Sequence, residues 1–252
     1  MSTLRALARL AAAVAHGLLG VLLTLAWLPW QDVTRRHATI AWWAKGLLRR
    51  LGLQVRTQGR WRPGAKLVVA NHVSWLDIMA VHASCPQARF VSKAEVRHWP
   101  LVSRLVDAAG TLYLERERRR DAMRVVHHMA QALRAGDTVA VFPEGTTGPG
   151  PRLLPFHANL LQAAIATGTP VQPVVLRYAD AEGPFSRAAE FVGETTLAQS
   201  LWRLAGSRAM VLHVTVLPAL GSEHADRRAL AQLVQQQIDA ELASARGETT
   251  TG

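Results

Sequence analysis

The sequence predicts an α/β protein, a mixed and largely parallel sheet covered by helices, with an N-terminal membrane-embedded helical segment. Three observations predict it. The 252 residues suffice for one compact domain with a sizeable core plus an appendage. Through the body of the chain, short runs rich in Val, Leu and Phe alternate with helical stretches. Ahead of them, from Leu10 to Trp30, runs a stretch with no Asp, Glu, Lys or Arg.

That apolar run reaches about 31 Å as a helix, close to the thickness of a bilayer core. Arg5 and Arg9 precede it, and Arg35, Arg36, Lys45, Arg49 and Arg50 follow it. Trp27 and Trp30 stand at its end, where interfacial aromatics collect. It is long for a signal peptide, and LPWQD offers no small-x-small cleavage site. Pro29 ends or kinks the helix. The next segment, Thr34 to Leu53, mixes basic residues with Ile40, Trp42, Trp43, Leu47 and Leu48. It suits either a helix lying among lipid headgroups or an amphipathic core helix. The greater basic weight after the run places the body on the cytoplasmic side of the inner membrane. Composition leaves open whether the run spans the bilayer or enters one leaflet.

The strands expected are Leu53–Thr57, Leu67–Ala70, Phe90–Ser92, Thr111–Glu115, Thr138–Phe142, Val171–Arg177 and Val211–Leu217. The helices expected between them are Leu76–Ser84, Pro100–Ala108, Asp121–Ala135, Ala158–Thr167 and Ala225–Ala245. Residues 1–52 are therefore expected to be membrane-anchoring helices, 53–246 one folded domain, and 247–252 a disordered polar tail.

A formal charge of +11 points to an anionic partner. With no zinc-finger spacing, RNP-like motif or helix-turn-helix in view, membrane lipids are the expected partner and nucleic acid is not. The single cysteine, Cys85, rules out a disulfide within the chain. It falls at an expected helix end before Pro86 and is not read as a nucleophile. His127 and His128 lack acidic or cysteine partners at ligand spacing and are read as structural.

The chemistry lies in NHVSWLD, Asn71 to Asp77. An apolar strand that runs into Asn-His and then a helix presents His72 at the sheet's carboxyl edge, where open α/β sheets place their sites. Asp77 can reach back to the imidazole, fix its tautomer and stabilise the imidazolium. Ser74 is better placed to cap the helix than to attack a substrate. The pair can still activate a hydroxyl on a substrate by general base catalysis.

The block resembles the first motif, N-H-x4-D, of the glycerolipid acyltransferase superfamily, with Asn71, His72 and Asp77 in place. Three further blocks follow in that family's order. GTLYLER, with Gly110, Tyr113 and Arg116, resembles the second. FPEGTT, with Phe142, Pro143, Glu144, Gly145 and Thr146, resembles the third, and VQPVVL, with Pro173, the fourth. FVSKAEVRHWPLV, carrying Lys93 and Pro100, resembles the stretch between the first two. The resemblance covers roughly Val55 to Leu217.

The resemblance implies a glycerolipid acyltransferase fold over 53–246 and an O-acyltransferase of phospholipid biosynthesis. His72 would take the proton of an acceptor hydroxyl as it attacks an acyl thioester, and Asp77 would orient His72. The donor would be acyl-CoA or acyl carrier protein, and the acceptor a lysolipid, first of all 1-acyl-sn-glycerol-3-phosphate; no metal, no cofactor and no covalent acyl-enzyme would be needed. Asn71, Lys93, Gly110, Arg116, Glu144, Gly145 and Thr146 would bind substrate, with Arg116 suited to a phosphate. Two departures stand out: Thr147 where the family often has a cation, and His157 where it often has Lys. They make a lyso-ornithine lipid or another lysophospholipid the alternative acceptor. Outside enzymes, the rival is a non-catalytic lipid-binding module, against which the intact His72, Asp77, Glu144 and Gly145 weigh.

Overall fold

The computed structural model describes residues 2–93, 104, 110–114 and 119–248. Its strands are β1 (Leu53–Gly59), β2 (Lys66–Ala70), β3 (Ala88–Lys93), β4 (Leu112–Leu114), β5 (Thr138–Val141), β6 (Val171–Ala179) and β7 (Met210–Val216). The described helices are α1 (Ser2–Ala26), α2 (Val33–Arg50), α3 (Leu76–Ser84), α4 (Arg119–Arg134), α5 (Gln162–Ile165), α6 (Leu197–Gly206) and α7 (Arg227–Arg246).

The strands form one sheet in the order β1-β7-β6-β2-β5-β3-β4. Its pairings are parallel except β6 with β7. The central strands KLVVA and TVAV are buried along their whole length, as continuous apolar strands covered on both faces must be. Alternate side chains of β2 serve the two cores. Leu67 and Val69 pack with Met129 of α4, Ala163 of α5 and Ile238 of α7. Val68 and Ala70 pack with Leu48 of α2, Leu76 of α3 and Leu204 of α6.

The expected strands and helices recur with small shifts, and the differences have local causes. The helix expected over Ala158–Thr167 is a 3-10 turn, Ala158–Leu161, followed by the single turn of α5. The Thr167 hydroxyl donates to the Ala163 and Ala164 carbonyls and closes that turn. Helix α6 was not anticipated, although Thr196 and Gln199 form a capping box at its start. The helix expected over Pro100–Ala108 lies outside the described residues except for Arg104, and Glu115 lies outside them too.

The N-terminal helices pack on the domain. Along α1, Leu4, Leu7, Val14, Leu18, Leu22 and Leu25 form one exposed apolar stripe, while Ala6, Ala13 and Val21 are buried. His16 Nε2 meets the Trp43 carbonyl at 2.9 Å, and Trp43 Nε1 donates to the His16 carbonyl at 2.9 Å. Arg9 donates to the carbonyls of Ala205 and Ser207 at the end of α6, satisfying acceptors the helix leaves open. In α2, Ala44 and Leu48 are fully buried in the core shared with α3, so its apolar stripe serves the domain interior.

Candidate active site

Strand β2 ends at Ala70, and the next two residues deliver Asn71 and His72 to the carboxyl edge of the sheet. Asn71 is 1% exposed. Its Nδ2 donates to the Leu176 carbonyl at 2.9 Å, and its Oδ1 accepts from the Leu176 amide at 2.8 Å. It extends the β2–β6 ladder by a side chain, each polar atom giving one hydrogen bond to Leu176. Expected among the substrate contacts, it clamps two strands.

The His72 backbone is held from the FPEGTTG loop on both sides. Its amide donates to Glu144 Oε1 at 2.7 Å, and its carbonyl accepts from the Gly148 amide at 2.7 Å. The imidazole lies flat on Phe142, centroids 4.0 Å apart and planes within 6°. Its Nδ1 sits 2.8 Å from Asp77 Oδ2, and the side chain keeps 19% of its surface exposed. An ionised carboxylate only accepts, so Nδ1 carries the proton and Nε2 is left to take one from outside.

Asp77 is wholly buried. Besides the imidazole, its Oδ2 accepts the amides of Val73 at 2.6 Å and Ser74 at 2.9 Å. Its Oδ1 accepts from the Tyr178 hydroxyl at 2.6 Å. These bonds correct the expectation for Ser74, which does not cap α3. Asp77 takes the Val73 and Ser74 amides in the turn ahead of α3, and among the described residues the fully buried Ser74 hydroxyl has no partner. Sealed there, it cannot act as a nucleophile. Cys85 is also buried, and burial pushes its thiol up to about 11, which leaves it protonated and inert.

Glu144 is 5% exposed, with Oε1 on the His72 amide and Oε2 on the Leu154 amide at 2.8 Å. Burial raises its pKa, and the two amides work against that rise. Like Asn71 it braces the site from behind, so both its oxygens are engaged before any substrate arrives. Gly145 turns at φ +73°, a conformation side chains resist, and the His157 ring lies 3.1 Å from where a Cβ would stand. Thr146 beside it is exposed. The Thr147 hydroxyl is turned onto the Phe191 carbonyl, tying the segment before α6 to the site.

The other expected contacts are less completely placed. Lys93 ends β3, but its side chain lies outside the described residues, as does all of Arg116. Gly110 turns at φ +68° and its carbonyl accepts from Arg89 Nε at 2.8 Å, so it shapes the entry to β4. His127 and His128 are exposed on α4. Among the described residues no group of three His, Cys, Asp or Glu could hold a metal. Tyr178 and Phe142 were missed as parts of the site. No local pattern marks Tyr178, which is 101 positions from Asp77. Phe142 stood within the third block but was not assigned to the imidazole.

An α/β sheet with a buried carboxylate and an oriented imidazole at its carboxyl edge, the nearby Ser74 and Cys85 being sealed in the core, is suited to general base catalysis on an external hydroxyl. Comparison with known proteins gives the class. The acyltransferase family model matches residues 52–177. The chain is 37% identical to a lyso-ornithine lipid O-acyltransferase of Pseudomonas aeruginosa, over 89% of this chain and 86% of that one. It is 37% identical to a 1-acyl-sn-glycerol-3-phosphate acyltransferase of Neisseria gonorrhoeae, over 83% of this chain and 82% of that one. The crystal structure of the 1-acyl-sn-glycerophosphate acyltransferase PlsC from Thermotoga maritima shares the fold, with a TM-score of 0.73 over 100% of both chains at 18% identity. The chain belongs to the glycerolipid acyltransferase family and is an acyltransferase.

Proposed function

We propose that the enzyme moves a fatty acyl group from acyl-CoA or acyl carrier protein to the free hydroxyl of a lysolipid. The observation that carries this is the half-open imidazole of His72, with Nδ1 held 2.8 Å from a wholly buried Asp77. Nε2 takes the acceptor's proton as its oxygen forms a bond to the thioester carbonyl carbon. The tetrahedral intermediate then expels the thiolate, which regains a proton from the imidazolium. Asp77 stabilises that imidazolium. Substrate binding falls to Gly145, Thr146, Lys93 and Arg116, while Asn71, Gly110 and Glu144 keep the frame in shape.

The favoured acceptor is 1-acyl-sn-glycerol-3-phosphate, after the Neisseria relative. A lyso-ornithine lipid, after the Pseudomonas relative, is the second reading. It is favoured by Thr147, whose hydroxyl faces Phe191 where a phosphate-binding cation would be expected. The length of the apolar helix α1, enough to cross a membrane, supports it as the anchor within residues 1–52, while α2 packs into the core of the catalytic domain, 53–246. The greater weight of Lys and Arg after α1 favours the cytoplasmic side of the inner membrane for that domain. The test uses membranes from cells expressing the full chain, given each lysolipid with acyl-CoA or acyl carrier protein. Acylation by the wild type that vanishes in His72→Ala supports the reading. Full turnover in His72→Ala would refute the base assignment, and acylation of neither lysolipid would refute the acceptor class.

A further inference from the structure

The mechanism uses His72 and one oxygen of Asp77, which leaves the second oxygen to be explained. Oδ2 is crowded, with the imidazole and two backbone amides within 2.9 Å. Among the described residues Oδ1 has one donor, the Tyr178 hydroxyl at 2.6 Å. Tyr178 is 2% exposed, and the carboxylate is wholly buried, so water is no substitute for that bond. The topology makes the contact. β2 and β6 are parallel neighbours with Ala70 opposite Val174. Tyr178, four residues further along β6, projects into the core beneath α3 just past the end of β2.

We infer that Tyr178 is a positioning residue for acyl transfer, fixing the rotation of the Asp77 carboxylate and tempering its pull on His72, an inference that rests on the general-base reading above. A carboxylate can turn about the bond to its own carbon, and the Val73 and Ser74 amides both lie on Oδ2. The Tyr178 bond at the opposite oxygen prevents that turn and keeps Oδ2 on Nδ1. The hydroxyl must donate, because an ionised carboxylate only accepts. Donation also draws negative charge toward Oδ1. Without it the carboxylate attracts the imidazolium more strongly, and His72 keeps its proton to a higher pH. Burial and the neighbouring Asp77 both hold the phenol in its neutral, donating form. Among the described residues, the titratable groups bearing on this pair are Glu144, from the loop after β5, and Tyr178 itself.

The experiment compares pH profiles of wild type, Tyr178→Phe and His72→Ala in membranes from cells expressing the full chain. Tyr178→Phe removes one oxygen and keeps the ring. It is expected to lower kcat about tenfold with KM within about twofold, because the hydroxyl serves the base and touches no substrate. The acid limb of kcat/KM is expected to move to higher pH. A hydroxyl that only stabilises the fold would lower the unfolding temperature and leave the limb in place. An unmoved limb with wild-type kcat overturns the inference, provided His72→Ala is inactive. Turnover in His72→Ala would instead overturn the base assignment. A double-mutant cycle gives a second readout: in an Asp77→Asn background Tyr178→Phe should cost little more, and an equal loss in both backgrounds overturns the inference. If Tyr178→Phe fails to accumulate, a fluorotyrosine at position 178 keeps the hydroxyl and makes it a stronger donor. It should move the acid limb the other way, and an unmoved limb there again overturns the inference.

Discussion

Strands β2 and β5 carry buried ionisable groups at both ends, and the two ends behave oppositely. At the amino end, Lys66 is 1% exposed, with Nζ on the Gly64 carbonyl at 3.0 Å and the Thr138 hydroxyl at 3.1 Å. Burial lowers its pKa, and among the described residues the ammonium donates to neutral oxygens. At the carboxyl end, Asp77 and Glu144 are as well buried, but their bonds converge on His72, which keeps a face open. A buried charge does not by itself make a site. What separates the ends is that one of them directs its buried carboxylates at a single group that a substrate can still reach.

Each of the following substitutions bears on that contrast. His72→Ala removes the half-open imidazole on which the carboxyl end's buried carboxylates converge. Turnover is expected to fall by about a thousandfold, within the usual range for a lost general base, with the unfolding temperature little changed. Acylation rates against lysolipid concentration measure it, and wild-type rates would erase the distinction between the ends.

His82 provides an acid-stability test at the far end of α3. Its ring is 2% exposed against Phe90, and among the described residues Nδ1 has no partner. Burial first, and His37 to a lesser degree, push its pKa down from 6.5 to about 4, with the Pro86 carbonyl opposing. The unfolded chain takes up a proton near 6.5 while the folded one resists until about 4. Stability is therefore lost as pH falls through that window, by about 3 kcal/mol in all. Denaturant unfolding at a series of pH values should show the slope, and His82→Gln should flatten it. An unchanged slope in that variant would mean that other groups govern the acid limit.

Glu144→Gln sharpens the comparison at the carboxyl end. The amide can accept from only one of the His72 and Leu154 N–H groups and turns its own N–H toward the other. A loss of about 2 kcal/mol in unfolding free energy is expected, read from the denaturant midpoint. A loss of substrate affinity with no loss of stability would instead return Glu144 to the substrate contacts. Lys66→Met should be the mildest change. Methionine is of similar length and brings no charge to desolvate, so stability should stay within about 1 kcal/mol and turnover should be unchanged. A large drop in turnover would show that the amino end is coupled to the chemistry.

Much of this enzyme is legible along the chain. KLVVA and TVAV read as buried parallel strands because every residue of each is small or apolar apart from its first, and both are wholly buried. The spacing of His72 and Asp77 set their meeting, since a strand end and the first turn of the next helix are joined by a short, stiff connection. Helix α6 carried a readable cap in Thr196 and Gln199 that went unused. Other features were settled only by folding. Asn71 and Glu144 count as substrate contacts in the sequence because the family resemblance implies that role, and the chain shows no partner for either. The folded sheet supplies Leu176 to one and the amides of His72 and Leu154 to the other.

The chain by itself determined the alternation of strands and helices, the two residues of the imidazole–carboxylate pair and the apolar α1, all of which depend on neighbours a few positions apart. The tertiary structure alone decided that Tyr178 meets Asp77, that Phe142 underlies the imidazole and that Lys66 is sealed. Those contacts join residues tens of positions apart. They follow from the order of strands in the sheet, which no local pattern encodes.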